Sequence, residues 1–159
     1  MRLRKIILVA GVALHLSFIA FNNFFDYNSN EQFVRGVLSM GDVFSGSRNH
    51  WRSIQLSWIQ TLIYWLIIAT ETIAAGLIWI SVSRMVAARK AAEEKFSLAV
   101  QAASNGILIA IALWLIGFLA VAGEWFLMYQ SQTWNAQSTA FSLAITYLLV
   151  LLYLDRKSS

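Results

Sequence analysis

Four apolar stretches, at residues 6–25, 57–82, 97–126 and 140–154, occupy most of this chain. Roughly 20 apolar residues cross the hydrocarbon of a bilayer, and the last stretch lies on the short side of that range. Such stretches leave the chain one solvent and one kind of spanning element, because a helix satisfies its backbone hydrogen bonds within a single segment. The expected fold is all-α: a polytopic membrane protein forming a four-helix transmembrane bundle, with residues 1–159 as one transmembrane domain.

Composition supports the same class. Hydrophobic residues make up 58% of the chain and charged ones 13%, against about 25% charged in an ordinary globular domain. There is no cysteine, which excludes disulfides, thiolate metal sites and thiol catalysis. There is no proline either, so no span is broken by one, although glycine can still interrupt a helix. The formal net charge is +4. Its basic residues flank the apolar runs instead of forming one face, a pattern that marks topology and argues against nucleic-acid binding.

Arg2, Arg4, Lys5, Arg84, Arg89, Lys90, Lys95, Arg156 and Lys157 lie at the termini and between the second and third stretches. Only Arg35, Arg48 and Arg52 lie between the first and second. The positive-inside rule then puts both termini in the cytoplasm. A basic start before an apolar run also describes a signal peptide. Here the run continues through Phe18, Phe21, Phe24 and Phe25 with no small-x-small site to end it, so the first span is expected to be retained.

The first extracytoplasmic loop, residues 26–56, is too long for a plain connector. Ser29 and Gln32 have capping-box spacing, and Phe33, Val34, Val37 and Leu38 follow at helical spacing. A short amphipathic helix is expected there, more as a hydrophobic tuck that seals the bundle than as a partner-docking surface. Gly41, Gly46 and Ser47 mark the turns after it. Residues 84–95 read as solvated extensions of the second and third helices, and Asp155 to Ser159 as a short frayed tail.

His15, Glu71 and Asn105 stand inside the spans, where polar side chains are costly and therefore functional suspects. Counted from Lys5, Arg84 and Lys95 at the helical rise, they lie roughly 15–20 Å above the inner boundary. All three are expected to face inward and meet near one level. Gly11, His15, Phe18 and Asn22 share one stripe, and Gln60, Tyr64, Ile67, Glu71 and Ala74 another. Gln101 and Asn105 share a face of the third span, and Ser138, Ser142 and Thr146 one of the fourth. The functional reading of this midplane cluster (His15, Glu71, Asn105 and Tyr64) is a proton or ligand site, with Glu71 titrating and His15 as its partner. The structural reading is a hydrogen-bond network that sets helix register.

No cofactor is expected. A b haem held in a bundle usually takes two axial ligands, and only His15 lies within a span, His50 being outside. His15 and Glu71 are too few for a closed metal site. At the outer rim, Trp51, Arg52 and Trp58 lead into the second span, and Glu124, Trp125, Phe126, Tyr129 and Trp134 close the third. Aromatics at that depth are an ordinary anchoring belt. Glu124 is not explained by it, and an ion pair with Arg48 or Arg52 that locks the loop onto the third span is expected, ahead of ligand binding.

The segments GEWFLMYQSQTWN (Gly123 to Asn135), NNFFDYNSNEQFVRGVLSM (Asn22 to Met40) and YWLIIATE (Tyr64 to Glu71) carry a resemblance. With the four-span plan, they resemble the bacterial family of predicted small integral membrane proteins filed as domain of unknown function 2165. The resemblance covers nearly the whole chain and implies a bacterial inner (cytoplasmic) membrane protein. It transfers no activity and no catalytic residue, although its segments include Glu71 and Glu124.

Two functions stand ahead of the rest. The first is a structural or accessory subunit that docks on a larger membrane complex through its outer loop and aromatic rim. The second is an oligomeric transport or ligand-binding protein that takes a quinone or lipid-like molecule at the Glu71, His15 and Asn105 cluster. No serine–histidine–acid spacing, metal motif or phosphate loop points to an enzyme. The partners expected are the lipid bilayer and either a larger complex or further copies of the chain.

Overall fold

The computed structural model describes residues 1–156. It is all-helical: α1 (Arg2–Phe25), α2 (Tyr27–Ser39), α3 (Ser57–Ala87), α4 (Glu93–Ala112) and α5 (Gln137–Leu154). A 3-10 turn over Ala88–Lys90 prolongs α3, and α4 runs on without a break as a π-helix over Leu113–Trp125. Arg2–Phe25, Ser57–Lys90, Glu93–Trp125 and Gln137–Leu154 are long and apolar enough to cross a membrane. These four contain the four apolar stretches of the sequence except for Phe126, which caps the third, and the bundle is that of a helical membrane protein. Of the tail, Lys157 to Ser159 lie outside the described residues; Asp155 and Arg156 still close helical hydrogen bonds onto Leu151 and Tyr153.

One end of the bundle carries both chain ends and the α3–α4 turn; we call it the terminal face. The other, carrying residues 26–56 and 126–136, is the loop face. At the terminal face two basic residues serve helix ends whose last carbonyls have no partner within the helix. Arg2 Nη1 donates to the carbonyls of Arg89 and Ala91, at 3.1 and 2.7 Å, and Nη2 pairs with Glu93. Lys5, itself buried, donates from Nζ to the carbonyls of Leu154 and Arg156 at 2.6 and 2.8 Å. The basic residues that mark topology thus also tie α1 to α3 and to α5.

α3 packs against α1 on one side and α4 on the other, and α5 lies along α4 and its π-helical continuation. The seams are built from small residues: Ala13 on α1, Ala74 and Ala75 on α3, Ala99, Ala103, Gly106 and Ala110 on α4, and Ala140 and Ala144 on α5 are all buried. Helices in lipid gain little from hiding apolar surface from one another, so close backbone approach and dispersion hold them together. Around these seams Leu16, Ile78, Met85, Phe96 and Ile107 fill one core toward the terminal face. A second core under the loop face joins Val34, Val37, Leu38 and Met40 to Tyr64, Ile68, Phe126 and Met128.

The amphipathic helix expected in the first loop is α2, but it starts differently. Instead of opening at a capping box on Ser29, it begins at Tyr27, separated from the end of α1 at Phe25 by the single residue Asp26. So short a joint places Ser29 inside the first turn, where its hydroxyl donates to Asp26 Oδ1 at 2.8 Å. The left-handed residue that ends α2 is Met40 (φ 55°), not the adjacent Gly41. Met40 is 1% exposed. Its burial in the second core offsets a conformation that glycine would adopt without strain.

Gly106 is the tightest point of the α3–α4 seam: a Cβ there would stand 2.7 Å from Ile78 Cγ1 and 3.4 Å from the Ile78 backbone nitrogen. Gly106→Ala is therefore expected to overpack the seam by about 1–3 kcal/mol. A thermal unfolding midpoint in detergent below that of the parent protein would show it, and an unchanged midpoint would refute the packing described.

Candidate functional site

Glu71 is the one acidic side chain buried in the bundle, at 1% exposure. It lies in the loop-side half, between the two cores. Its Oε2 accepts a hydrogen bond from Asn23 Nδ2 at 2.7 Å, while Oε1 has no partner among the described residues. Tyr64, two turns earlier on α3, donates from its hydroxyl to the Asn23 backbone carbonyl at 2.5 Å and so holds the end of α1 in place. Both α3 residues line a cavity of about 210 Å³ together with Ile19, Asn23, Trp114 and Phe118. Trp114 is buried, and its indole Nε1–H also lacks a partner among the described residues.

An acceptor and a donor, both buried and both unsatisfied among the described residues, therefore belong to two side chains that line one cavity. Leaving such a group unpaired costs about 1–3 kcal/mol, and more for a charged one. Uncompensated polar groups of this kind are rare in native structures, and each calls for an explanation.

Next to this cavity lies an apolar one of about 160 Å³, between α2, α3 and the π-helix, and Phe33, Val34, Ile67 and Phe118 border both. The π-helix shapes its wall. Phe126 N–H bonds to the Val121 carbonyl five residues back, at 3.0 Å. With each turn so widened, Leu113, Gly117 with Phe118, Val121 with Ala122, and Phe126 line up at intervals of four to five residues. A 3.6-residue helix would carry these side chains progressively off that face. π-helical turns are uncommon and concentrate at functional sites.

The structure brings together only part of the expected midplane cluster. Tyr64 and Glu71 meet, but His15 and Asn105 are both exposed on the outside of the bundle. The Glu71 carboxylate is partnered by Asn23, eight residues beyond His15 and roughly 12 Å further along α1. Arg84 is the wrong zero for depth on α3. The Arg2 contacts put the start of α1 level with Ala88–Ala91, so Glu71 sits higher than a count from Arg84 suggests. His15 Nδ1 instead lies 3.3 Å from the Tyr147 hydroxyl on α5. Asn23 and Trp114 were not anticipated. Asn23 is one residue, and so about 100° of helix, from the Asn22 that the stripe pattern selected. Trp114 carried a usable signal, since it sits eleven residues before the interfacial Trp125, away from the usual depth of tryptophan.

At the loop face the expected Glu124 ion pair does not form. Glu124 and Arg48 are exposed, and the ion pairs among the described residues are Arg2–Glu93 and Arg35–Glu31. Arg52 stacks over the Trp125 ring instead, its Cζ 4.6 Å from the centroid, and donates to the Trp125 carbonyl at 3.3 Å. A guanidinium takes an aromatic face and a carbonyl at once, and so reaches the end of the π-helix without its carboxylate. Trp134 is half-buried, edge-on to Phe33 and pressed so closely on Gly36 that a Cβ there would stand 2.5 Å from its ring.

These contacts make α2 a roof over the cavities, pinned on two sides. Toward α3, Arg35 donates to Glu31, Gln60 and Thr61 at 2.8–3.1 Å, and the Thr61 hydroxyl donates to Glu31 at 2.7 Å. Toward the last loop, Asp42 Oδ2 accepts from the Ser131 hydroxyl at 2.6 Å and from the Gln132 and Thr133 backbone N–H groups at 2.9 and 3.0 Å. The Thr61 and Arg35 hydrogen bonds hold the Glu31 carboxyl below its ordinary range, and the Ser131 and backbone donors do the same for Asp42.

A chain with four membrane-crossing helices and so small an extramembrane portion is an integral membrane protein of the helical-bundle class. Its sequence matches the family of predicted small integral membrane proteins (DUF2165) over residues 1–157, and the chain belongs to that family. No match was found among curated proteins or among solved structures.

Both pinning carboxylates titrate lower in the fold than in an unfolded chain. They hold α2 above the ordinary carboxylate pKa of about 4 and let go as pH falls through their lowered values. Amide hydrogen exchange is expected to quicken over residues 27–43 and at Gln132 and Thr133 in acid, ahead of the buried parts of α3. Asp42→Ala is expected to quicken Gln132 and Thr133 already at neutral pH. Exchange there that ignores both changes would refute the clasp.

Proposed function

We propose that the protein binds a small amphiphile within the membrane, its polar head at Glu71 and Trp114 and its apolar portion under α2. The observation that carries this is the pair of unsatisfied groups, Glu71 Oε1 and Trp114 Nε1, on two residues that line one cavity. The indole N–H offers a hydrogen bond to a carbonyl or hydroxyl. The carboxyl group accepts one when ionised and donates one when protonated. An apolar cavity of about 150 Å³ is enough to admit benzene, so the 210 Å³ here suits a ring-sized head. The adjoining 160 Å³ cavity, lined by apolar side chains, suits the start of a tail. A quinone has this chemistry: carbonyl acceptors on a flat ring and an isoprenoid chain. Carriage of such a molecule across or along the membrane would use the same site.

The accessory-subunit reading stands second. Trp51 and Trp58, 72% and 67% exposed, support it as anchors for a neighbour, but an interfacial aromatic belt accounts for them equally well. For location, the family resemblance implies a bacterial inner membrane, and the distribution of Lys and Arg favours the terminal face in the cytoplasm. A phosphatase reporter that is active only outside the cytoplasm should therefore work when inserted at Gly46 and fail when fused after Ser159. The reverse pattern would overturn that orientation.

Binding is tested with decylubiquinone titrated into delipidated protein in nanodiscs and followed by quenching of tryptophan fluorescence. Saturable quenching is expected. Glu71→Met and Trp114→Phe, which each remove a hydrogen-bonding group at similar volume, are expected to weaken it about tenfold, while keeping helix content. Non-saturable quenching, or affinity unchanged in both variants, would sink the proposal.

A further inference from the structure

The amides that the sequence placed in the interior lie on its outside. Gln101 and Asn105 are exposed on α4, eight and twelve residues past Glu93, so roughly 12–18 Å above the terminal face by the helical rise. Ser97 is exposed one turn before them, and Ser97, Gln101 and Asn105 recur every fourth residue along one stripe. The rest of the chain packs on other faces of α4. Gly106 meets α3 at Ile78, and Ala99, Ala103 and Ala110 are buried in the core. Hydrocarbon offers a primary amide neither donor nor acceptor, and polar side chains at that depth turn to protein or to a water-filled cavity. A large crevice nearby, about 680 Å³ between the start of α4 and the end of α5, reaches Ser97, Gln101 and Ser104 but is not lined by Asn105.

We propose that this stripe is the contact face of a homodimer, in which a second copy of the chain lays its own α4 against Ser97, Gln101 and Asn105. The chemistry selects a second copy. Each amide carries both a carbonyl acceptor and an NH₂ donor, so it is complementary to itself. A two-fold axis along the membrane normal brings each residue to its own symmetry mate at the same depth, as an isologous interface requires. Interhelical Asn and Gln hydrogen bonds are a recognised means of helix association in lipid. Glu94 opens the stripe at the terminal face, where water and salt screen it from its mate. The proposal does not depend on the cavity at Glu71: it concerns residues of α4, none of which lines that cavity.

The chain has no cysteine, so single cysteines report contacts cleanly. Leu108, 55% exposed and on the same side of α4, keeps both amides intact when replaced; Leu149, 61% exposed on α5, serves as the control. In membranes, a short bismaleimide is expected to convert most of Leu108→Cys, and little of Leu149→Cys, into a covalent dimer. Adding Gln101→Leu and Asn105→Leu to Leu108→Cys is expected to lower the association constant about tenfold or more, with the monomer still folded and monodisperse. Equal cross-linking at both positions, none at Leu108, or a yield indifferent to the two leucines would overturn the proposal. So would native mass spectrometry from nanodiscs that shows one copy with phospholipid seated in its place.

Discussion

Hydrocarbon gives a backbone nothing to bond with except itself, and every other feature of this protein is arranged within that constraint. Four helices satisfy it along their lengths, and their ends are where it lapses. At the terminal face the exposed carbonyls of α3 and α5 are met by Arg2 and Lys5, which reach across from α1. Arg2 and Lys5, two of the basic residues that flank the spans, thereby also align the helices. The alignment has a consequence deep in the bundle: it sets which residue of α1 lies beside Glu71.

Helix packing in lipid lacks the drive that water supplies to a soluble core, so the seams rely on alanine and glycine for close approach. Gly106 against Ile78 is the clearest case. Where α4 becomes a π-helix this close packing is relaxed. The wider turn sets Leu113, Gly117, Val121 and Phe126 along one wall, and a cavity opens beneath α2. Trp114, near the start of the π-helix, lines the adjoining cavity together with Glu71. Glu71 Oε1 and Trp114 Nε1 are both left without a hydrogen-bond partner among the described residues, in a setting where that is costly.

α2 links this interior to the loop face. Its apolar side roofs the cavities, while its polar side is held by Arg35 and Glu31 to α3 and by the adjoining Asp42 to the last loop. The amphipathic pattern of Phe33, Val34, Val37 and Leu38 announced the helix and its buried side. It did not announce the clasp, because Asp42 and Ser131 are 89 residues apart and neither belongs to a recognisable motif. Likewise Arg52 stacks over Trp125 and donates to its carbonyl where an ion pair with Glu124 was expected, while its Nε has no partner among the described residues.

The sequence by itself determined the solvent, the number of crossings and the family. Apolar length and the placement of charge are local properties that the bilayer reads without reference to tertiary contacts. It also singled out Glu71 and Tyr64, because an acid and a tyrosine on one face of a spanning helix are visible at helical spacing. Tertiary structure alone decided their company. Helix rotation and axial offset are set by packing, and an error of one residue turns a side chain by about 100°. That is why Asn23 stands where the pattern pointed to His15. Trp114 completes the site from another helix, and Gln101 and Asn105 look out of the bundle instead of into it.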